Sequence, residues 1–343
     1  MNVYPMGMVT AAGKVEFVER RMPELGQNDL LIKIKASAIC GSDLHIYRGK
    51  HPSAPLPVAI GHELSGQVIK TGENVTRITE GDRVAVEPVI ACGVCDFCRR
   101  GSYHLCVDIS FQYRVGQGGF APYFVVDENW AHILPDNVSY EEGALLEPLS
   151  VAVHAVRRAN FGLGMTSVIF GDGAIGLFTL LVLKYMGGGN TYLAGIQEHR
   201  LRKAERLGAD TVYNNLEQDV IQLLLEITGG LGVDLSFEAV GIETTLVQSL
   251  SALKKGGTAV LLGIFEEHEV RIPANIFIQK EISLVGSQGY NWDFQRAQKL
   301  AADVNFPLGE LITHTLQLDQ LQEAFEILLD ERNEAIKVVI QVD

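Results

Sequence analysis

Basic charge is what this 343-residue chain lacks most. Its 42 acidic residues outnumber 28 Lys and Arg, for a formal net charge of −14. That balance works against attraction to nucleic acid or an anionic membrane, so neither is expected as a partner. Long apolar runs are missing too. The most apolar segment, around Leu177 to Met186, contains Lys184 and is too short to span a bilayer. The opening Met1-Asn2-Val3-Tyr4-Pro5 has no basic stretch followed by an apolar one, so the expected location is cytoplasmic. There is no internal repeat and no low-complexity tract. Cysteine is scarce, at five residues, and unevenly spread.

What is present is the profile of an ordinary globular protein, 47% hydrophobic and 20% charged. The length suggests about two domains. From about residue 10 to 150, short alternating stretches are punctuated by Gly61, Gly66, Gly72 and Gly81. Leu30 to Ala36, Leu64 to Lys70 and Arg83 to Pro88 read as strands, which suggests an all-β barrel or sandwich with inserted loops. After about residue 151 apolar strands alternate with helices: 166–170, 191–196, 211–214, 233–240, 257–263 and 281–287 are the expected strands. This is the pattern of a doubly wound parallel sheet. The tail holds expected helices at 294–303 and 318–330 and a last strand at 336–342.

Four of the cysteines, Cys92, Cys95, Cys98 and Cys106, have the spacing C-x2-C-x2-C-x7-C. A disulfide framework is seldom packed into one loop of a large chain, whereas four thiolates close a tetrahedron around zinc. An iron–sulfur cluster is the rival occupant. Because all ligands come from protein, the site should be structural. A zinc ribbon that binds nucleic acid would need a basic face, which the charge disfavours.

The fifth cysteine, Cys40, opens Cys40-Gly41-Ser42-Asp43-Leu44-His45. Gly61-His62-Glu63 and Glu147-Pro148-Leu149 follow. Thiolate, imidazole and carboxylate are the ligand types of a catalytic zinc with an open position. Further on, Gly171-Asp172-Gly173-Ala174-Ile175-Gly176 reads G-x-G-x-x-G between an expected strand and an apolar helix. That context fits a turn that brings a pyrophosphate to a helix N-terminus.

In this order, across essentially the whole chain, these motifs resemble the zinc-containing medium-chain alcohol dehydrogenases. The nearest branch is that of the polyol (sorbitol), butanediol and threonine dehydrogenases, because His62 precedes Glu63 and Glu147 replaces a Cys of other alcohol dehydrogenases. The resemblance implies an α/β protein. A GroES-like β-rich catalytic domain would cover 1–150 and 290–343, and a Rossmann domain 151–289. It implies a zinc-dependent oxidoreductase that moves hydride between a secondary alcohol or polyol, or its ketone, and NAD or NADP.

In that picture Cys40 and His62, with Glu63 or Glu147, hold the catalytic zinc. Cys92, Cys95, Cys98 and Cys106 hold a second, structural one. Ser42, His45 and Glu63 serve catalysis, the Ser42 hydroxyl taking the alcohol proton and His45 passing it on. Tyr47 is a lesser candidate for the substrate pocket, expected in the cleft between the domains. Gly171, Gly173, Ile175, Gly176, Gly195, Arg200, Val240 and Gly263 are the expected cofactor contacts. A homodimer or homotetramer is also implied.

One departure stands out. An acid about 20 positions after the turn normally grips the ribose 2′-hydroxyl; here that position is Gly195. Arg200 can meet a 2′-phosphate, which leans the expectation toward NADP, and Glu198, which can take over the ribose contact, keeps that lean slight. Phe111 to Gly119 is a candidate substrate loop, with Arg114 a candidate anion contact. The alternatives are a nicotinamide-binding protein without chemistry, serving structure or sensing, and a zinc-free quinone reductase. The latter needs neither Cys40 nor the cysteine loop.

Overall fold

The computed structural model describes residues 3–51, 54–111, 116–267 and 269–342. The substrate-loop candidate Arg114 and its neighbours 112, 113 and 115 lie outside the described residues. The chain divides into two compact units, Met1–Glu147 with Phe294–Asp343, and Pro148–Asp293.

In the first unit, the strand Asp29–Ala38 is the organising element. It alternates half-buried and buried side chains, with Leu30, Ile32, Ile34 and Ala36 fully buried, so one face of the pleat faces a core. It pairs antiparallel with Glu63–Thr71, Tyr123–Asp127 and Lys337–Gln341. The last of these lies parallel to Ile312–Gln317, and the helix Leu321–Leu329 falls between them in the chain. Ile32, Ile34, Phe120, Phe124, Phe325 and Val338 form the core beneath this sheet. A separate three-stranded sheet is built on the hairpin Val3–Ala11 and Lys14–Arg21, which the sequence reading did not anticipate.

The second unit carries a parallel sheet. Among the described residues its strands run in the spatial order Thr211–Asn214, Thr191–Gly195, Ser167–Phe170, Val233–Glu238, Leu253–Leu261, Ser283–Gly286. Numbered along the chain, that is 3-2-1-4-5-6, the doubly wound Rossmann order, with its switch point beside Ser167–Phe170. The central strand is buried on both faces, which is why its sequence reads as an uninterrupted apolar run.

Candidate active site

The helix Gly41–Tyr47 starts from Cys40 as its N-cap. Asp43 sits at the third helical position, and its Oδ2 accepts the Cys40 backbone N–H at 3.1 Å, closing a capping box. The Asp43 Oδ1 accepts the Gly61 N–H at 3.3 Å and lies 3.6 Å from His62 Nδ1. A single buried carboxylate thus ties the turn carrying Cys40 to the turn carrying His62.

Burial alone would raise the Asp43 pKa, but the adjacent His62 and the two N–H groups outweigh it and hold it below the usual range. Burial would likewise lower His62, and the Asp43 and Cys40 charges overcome it and raise it. With Nδ1 facing Asp43, Nε2 is the ring atom left for a ligand, the arrangement by which an outer carboxylate orients a metal-binding imidazole.

One ligand atom each from Cys40, His62 and Glu63 lies within 4.8 Å of the others. The three groups therefore converge on one point from different parts of the chain, as the ligands of a single metal ion do. A thiolate, an imidazole and a carboxylate fit zinc in their chemistry as well as their placement.

Glu63 is fully buried and brings a partner the motifs did not reveal. Lys337 Nζ lies 2.6 Å from its Oε1 and 2.5 Å from its Oε2, and donates to the Ile39 carbonyl at 2.9 Å. Burial opposes the Lys337 charge, but Glu63, Cys40 and Glu147 raise its pKa. Glu147 lies in the first turn of the helix Leu146–Arg158, buried, and outside the converging trio.

Ser42 and His45 both lie half-buried on the helix Gly41–Tyr47, not on a loop. Three residues apart, they share a helical face. Tyr47 is buried, stacked on Phe325 at 4.9 Å, and its hydroxyl accepts from Gln322 at 2.8 Å. Its ring fills the core.

The four cysteines of the loop also converge, with their sulfurs within 4.8 Å of one another. Backbone N–H groups already point at them: Cys92 toward the Cys106 Sγ at 3.3 Å, Cys95 toward the Cys92 Sγ at 3.4 Å, Asp108 toward the Cys106 Sγ at 3.4 Å. The N–H groups of Cys98 and Val107 lower the Cys95 thiol to about 6. The N–H groups of Val94 and Cys95 lower Cys92 as well, whereas burial and the neighbouring thiols push Cys98 up to about 12, so the N–H groups favour the thiolate at only some of the four sulfurs. Tyr103, within the loop, donates to the buried Glu87, which also bonds His132 at 2.8 Å, and packs edge-on against Trp130.

In the second unit the glycine-rich turn leaves the strand Ser167–Phe170 and enters the helix Ala174–Tyr185. Gly176 permits the tight approach: a Cβ there would lie 2.0 Å from the Gly171 carbonyl oxygen. Ile175 is half-buried in the first turn. Val240 and Gly263 follow the ends of two neighbouring strands. The buried Glu238, not anticipated from sequence, organises both. Its Oε1 accepts from Val240 N at 3.0 Å, Gly241 N at 2.8 Å and Thr245 Oγ1 at 2.7 Å, while its carbonyl accepts from Gly263 N at 3.0 Å. Gly195 ends its strand, and Arg200 lies half-buried in the first turn of the helix Glu198–Arg206.

Comparison with known proteins decides the family. An alcohol dehydrogenase GroES-like domain matches residues 26–136, and a zinc-binding dehydrogenase domain matches 174–303. D-arabitol-phosphate dehydrogenase of Enterococcus avium is 36% identical over 333 residues, covering 96% of this chain and 94% of that protein. The chain belongs to the zinc-binding alcohol dehydrogenase family.

Other members of this dehydrogenase family fit the same way. Sorbitol dehydrogenase of Bacillus subtilis strain 168 is 33% identical over 323 residues, covering 93% of this chain and 92% of that one. A Sinorhizobium meliloti 1021 protein solved with NADP bound superposes with a TM-score of 0.91 at 30% identity, covering 99% of this chain and all of that one. The fold is a GroES-like domain joined to a Rossmann domain, and the chain is a nicotinamide-linked dehydrogenase. No helix among the described residues is long and apolar enough to cross a membrane.

Proposed function

We propose that this dehydrogenase oxidises a secondary hydroxyl of a polyol or polyol phosphate, and reduces the matching ketone, with two zinc ions per chain. The observation that carries the reading is the convergence of Cys40, His62 and Glu63 from two turns that Asp43 ties together. Glu147 is buried close enough to raise the Lys337 pKa and is the reserve carboxylate of the same site. The four-cysteine loop holds the structural ion.

When bound, a zinc ion held by Cys40, His62 and Glu63 would supply Lewis acidity, and a nicotinamide cofactor would supply the hydride donor or acceptor. The chain's own residues handle the proton. Ser42 accepts it from the hydroxyl, since a serine hydroxyl both donates and accepts. His45, one helical turn on, passes it onward, since an imidazole carries one nitrogen that accepts and one that donates. Lys337, held on Glu63, balances the negative charge that Glu63 and Cys40 bring together. Similarity to the arabitol-phosphate and sorbitol dehydrogenases supports the polyol class. The reading extends to a homodimer or homotetramer, which light scattering on the eluting protein tests.

A spectrophotometric screen of sugar alcohols, polyol phosphates and butanediols against NAD and NADP tests the activity. Turnover on at least one polyol, lost on chelation and restored by zinc, is expected. Cofactor binding with no turnover on any alcohol or ketone would overturn it.

A further inference from the structure

Gly195 ends its strand where an acid should grip the adenosine ribose, and it has no side chain to offer. The space beside it is nevertheless filled. A Cβ built on Gly195 would lie 2.4 Å from Asp172 Oδ2, 2.5 Å from Asp172 Cβ and 2.6 Å from Asp172 Cγ. Real side chains never approach so closely, so residue 195 and the Asp172 carboxyl compete for one volume. Asp172 is the second residue of the glycine-rich turn, and glycine at 195 is what lets it reach across.

Two hydrogen bonds hold it there. Asp172 Oδ2 accepts the backbone N–H of Ile196 at 2.8 Å and of Gln197 at 2.7 Å. Oδ1 takes part in neither. Gln197 is the N-cap of the helix Glu198–Arg206, so the carboxylate also meets the positive end of that helix. The turn itself is pinned to the strand end, since Gly171 N donates to the Ala194 carbonyl at 2.8 Å. Asp172 is 7% exposed and therefore well fixed.

The result is an acidic side chain, its Oδ2 turned to two backbone N–H groups, at the carboxyl ends of the first two strands of a 3-2-1-4-5-6 sheet, where the ribose of a dinucleotide lies. We infer that Asp172 replaces the missing strand-end acid and selects a ribose with a free 2′-hydroxyl, so that the chain prefers NAD(H) over NADP(H). The hydroxyl can donate to Oδ1, which the backbone bonds leave aside. A 2′-phosphate would bring only acceptor oxygens and negative charge against a fixed acidic side chain already placed as an acceptor. The lean toward NADP drawn from Gly195 rested on the lack of a carboxylate at that place, and the structure supplies one from a different loop. Arg200 is the opposing group, a cation one turn along the same helix.

The inference rests on the dinucleotide reading of this domain, and binding tests it without turnover. NADH and NADPH, and the fragments ADP-ribose and 2′-phospho-ADP-ribose, are titrated calorimetrically into the full-length chain and two variants. The unsubstituted chain should bind NADH about ten- to a hundredfold tighter than NADPH, the range expected for one charge-assisted hydrogen bond. Asp172→Asn keeps an oxygen for the two N–H groups but removes the charge, and should shrink that ratio about tenfold. The double variant Asp172→Gly with Gly195→Asp moves the acid to the strand end and should restore it. Equal or tighter binding of NADPH by the unsubstituted chain would overturn the inference while leaving the dehydrogenase reading intact. So would a ratio unmoved in folded Asp172→Asn, since that would make Asp172 a turn brace only. Failure of every nucleotide to bind would overturn both.

Discussion

The two sulfur-bearing sites of the first unit are built on different scales. In the four-cysteine loop every ligand lies between residues 92 and 106, and local backbone N–H groups prepare the sulfurs. The Cys40 site gathers its trio from two turns, and adds Asp43 behind His62 and Lys337 behind Glu63. The first site needs only its own loop to close. The second exists only when the sheet is assembled, because Lys337 reaches it from the last strand. A site of the first kind can be saturated and inert. One of the second kind is embedded in buried charge, with Asp43, Glu63 and Lys337 packed around its half-buried Cys40 and His62.

The comparison breaks most sharply at Lys337. Lys337→Met leaves the Glu63 carboxylate buried without its cation, and should cost about 3–5 kcal/mol in urea unfolding. A loss under about 1 kcal/mol would mean that the pair is not needed to assemble the site. Next in size is Asp43→Ala, which removes the group that orients His62. Competition with a chelator should show zinc affinity at the Cys40 site falling about 10- to 100-fold, with the loop site unchanged. Equal weakening of both would show that the two sites are coupled. The smallest effect is expected at the loop's anchor. Tyr103→Phe removes one hydrogen bond to buried Glu87, while His132 retains its own. It should cost about 1–2 kcal/mol, read by thermal unfolding, without changing turnover.

The difference in scale also explains what the sequence made legible. The C-x2-C-x2-C-x7-C loop and the G-x-G-x-x-G turn declare themselves because all their chemistry is local in the chain. The strand Asp29–Ala38 and the parallel strands were readable from their alternating or continuous burial. Ser42 and His45 were noticed by their closeness to Cys40, but the helix that carries them was not, since seven residues give too short a periodic signal. Tyr47 was weighed as a pocket residue because nothing in the sequence tells of Phe325 and Gln322 closing over it. Lys337 looks like any lysine in a terminal strand until Glu63 is placed against it. Asp172 occupies a variable position of the G-x-G-x-x-G pattern, which says nothing of the space that it fills beside Gly195. In each case the missing information was a contact between residues far apart in sequence, which no local pattern encodes.

The central claim is that Cys40 and His62 hold a catalytic zinc distinct from the ion of the cysteine loop. Elemental analysis of the purified chain and of Cys40→Ser, with turnover measured on the same samples, tests it most directly. The account predicts two zinc ions per chain falling to one in the variant, with the fold retained and turnover reduced on the order of a thousandfold or more, as expected when several kcal/mol of electrophilic stabilisation are removed. A Cys40→Ser protein that kept its activity, or lost it while still holding both ions, would contradict it.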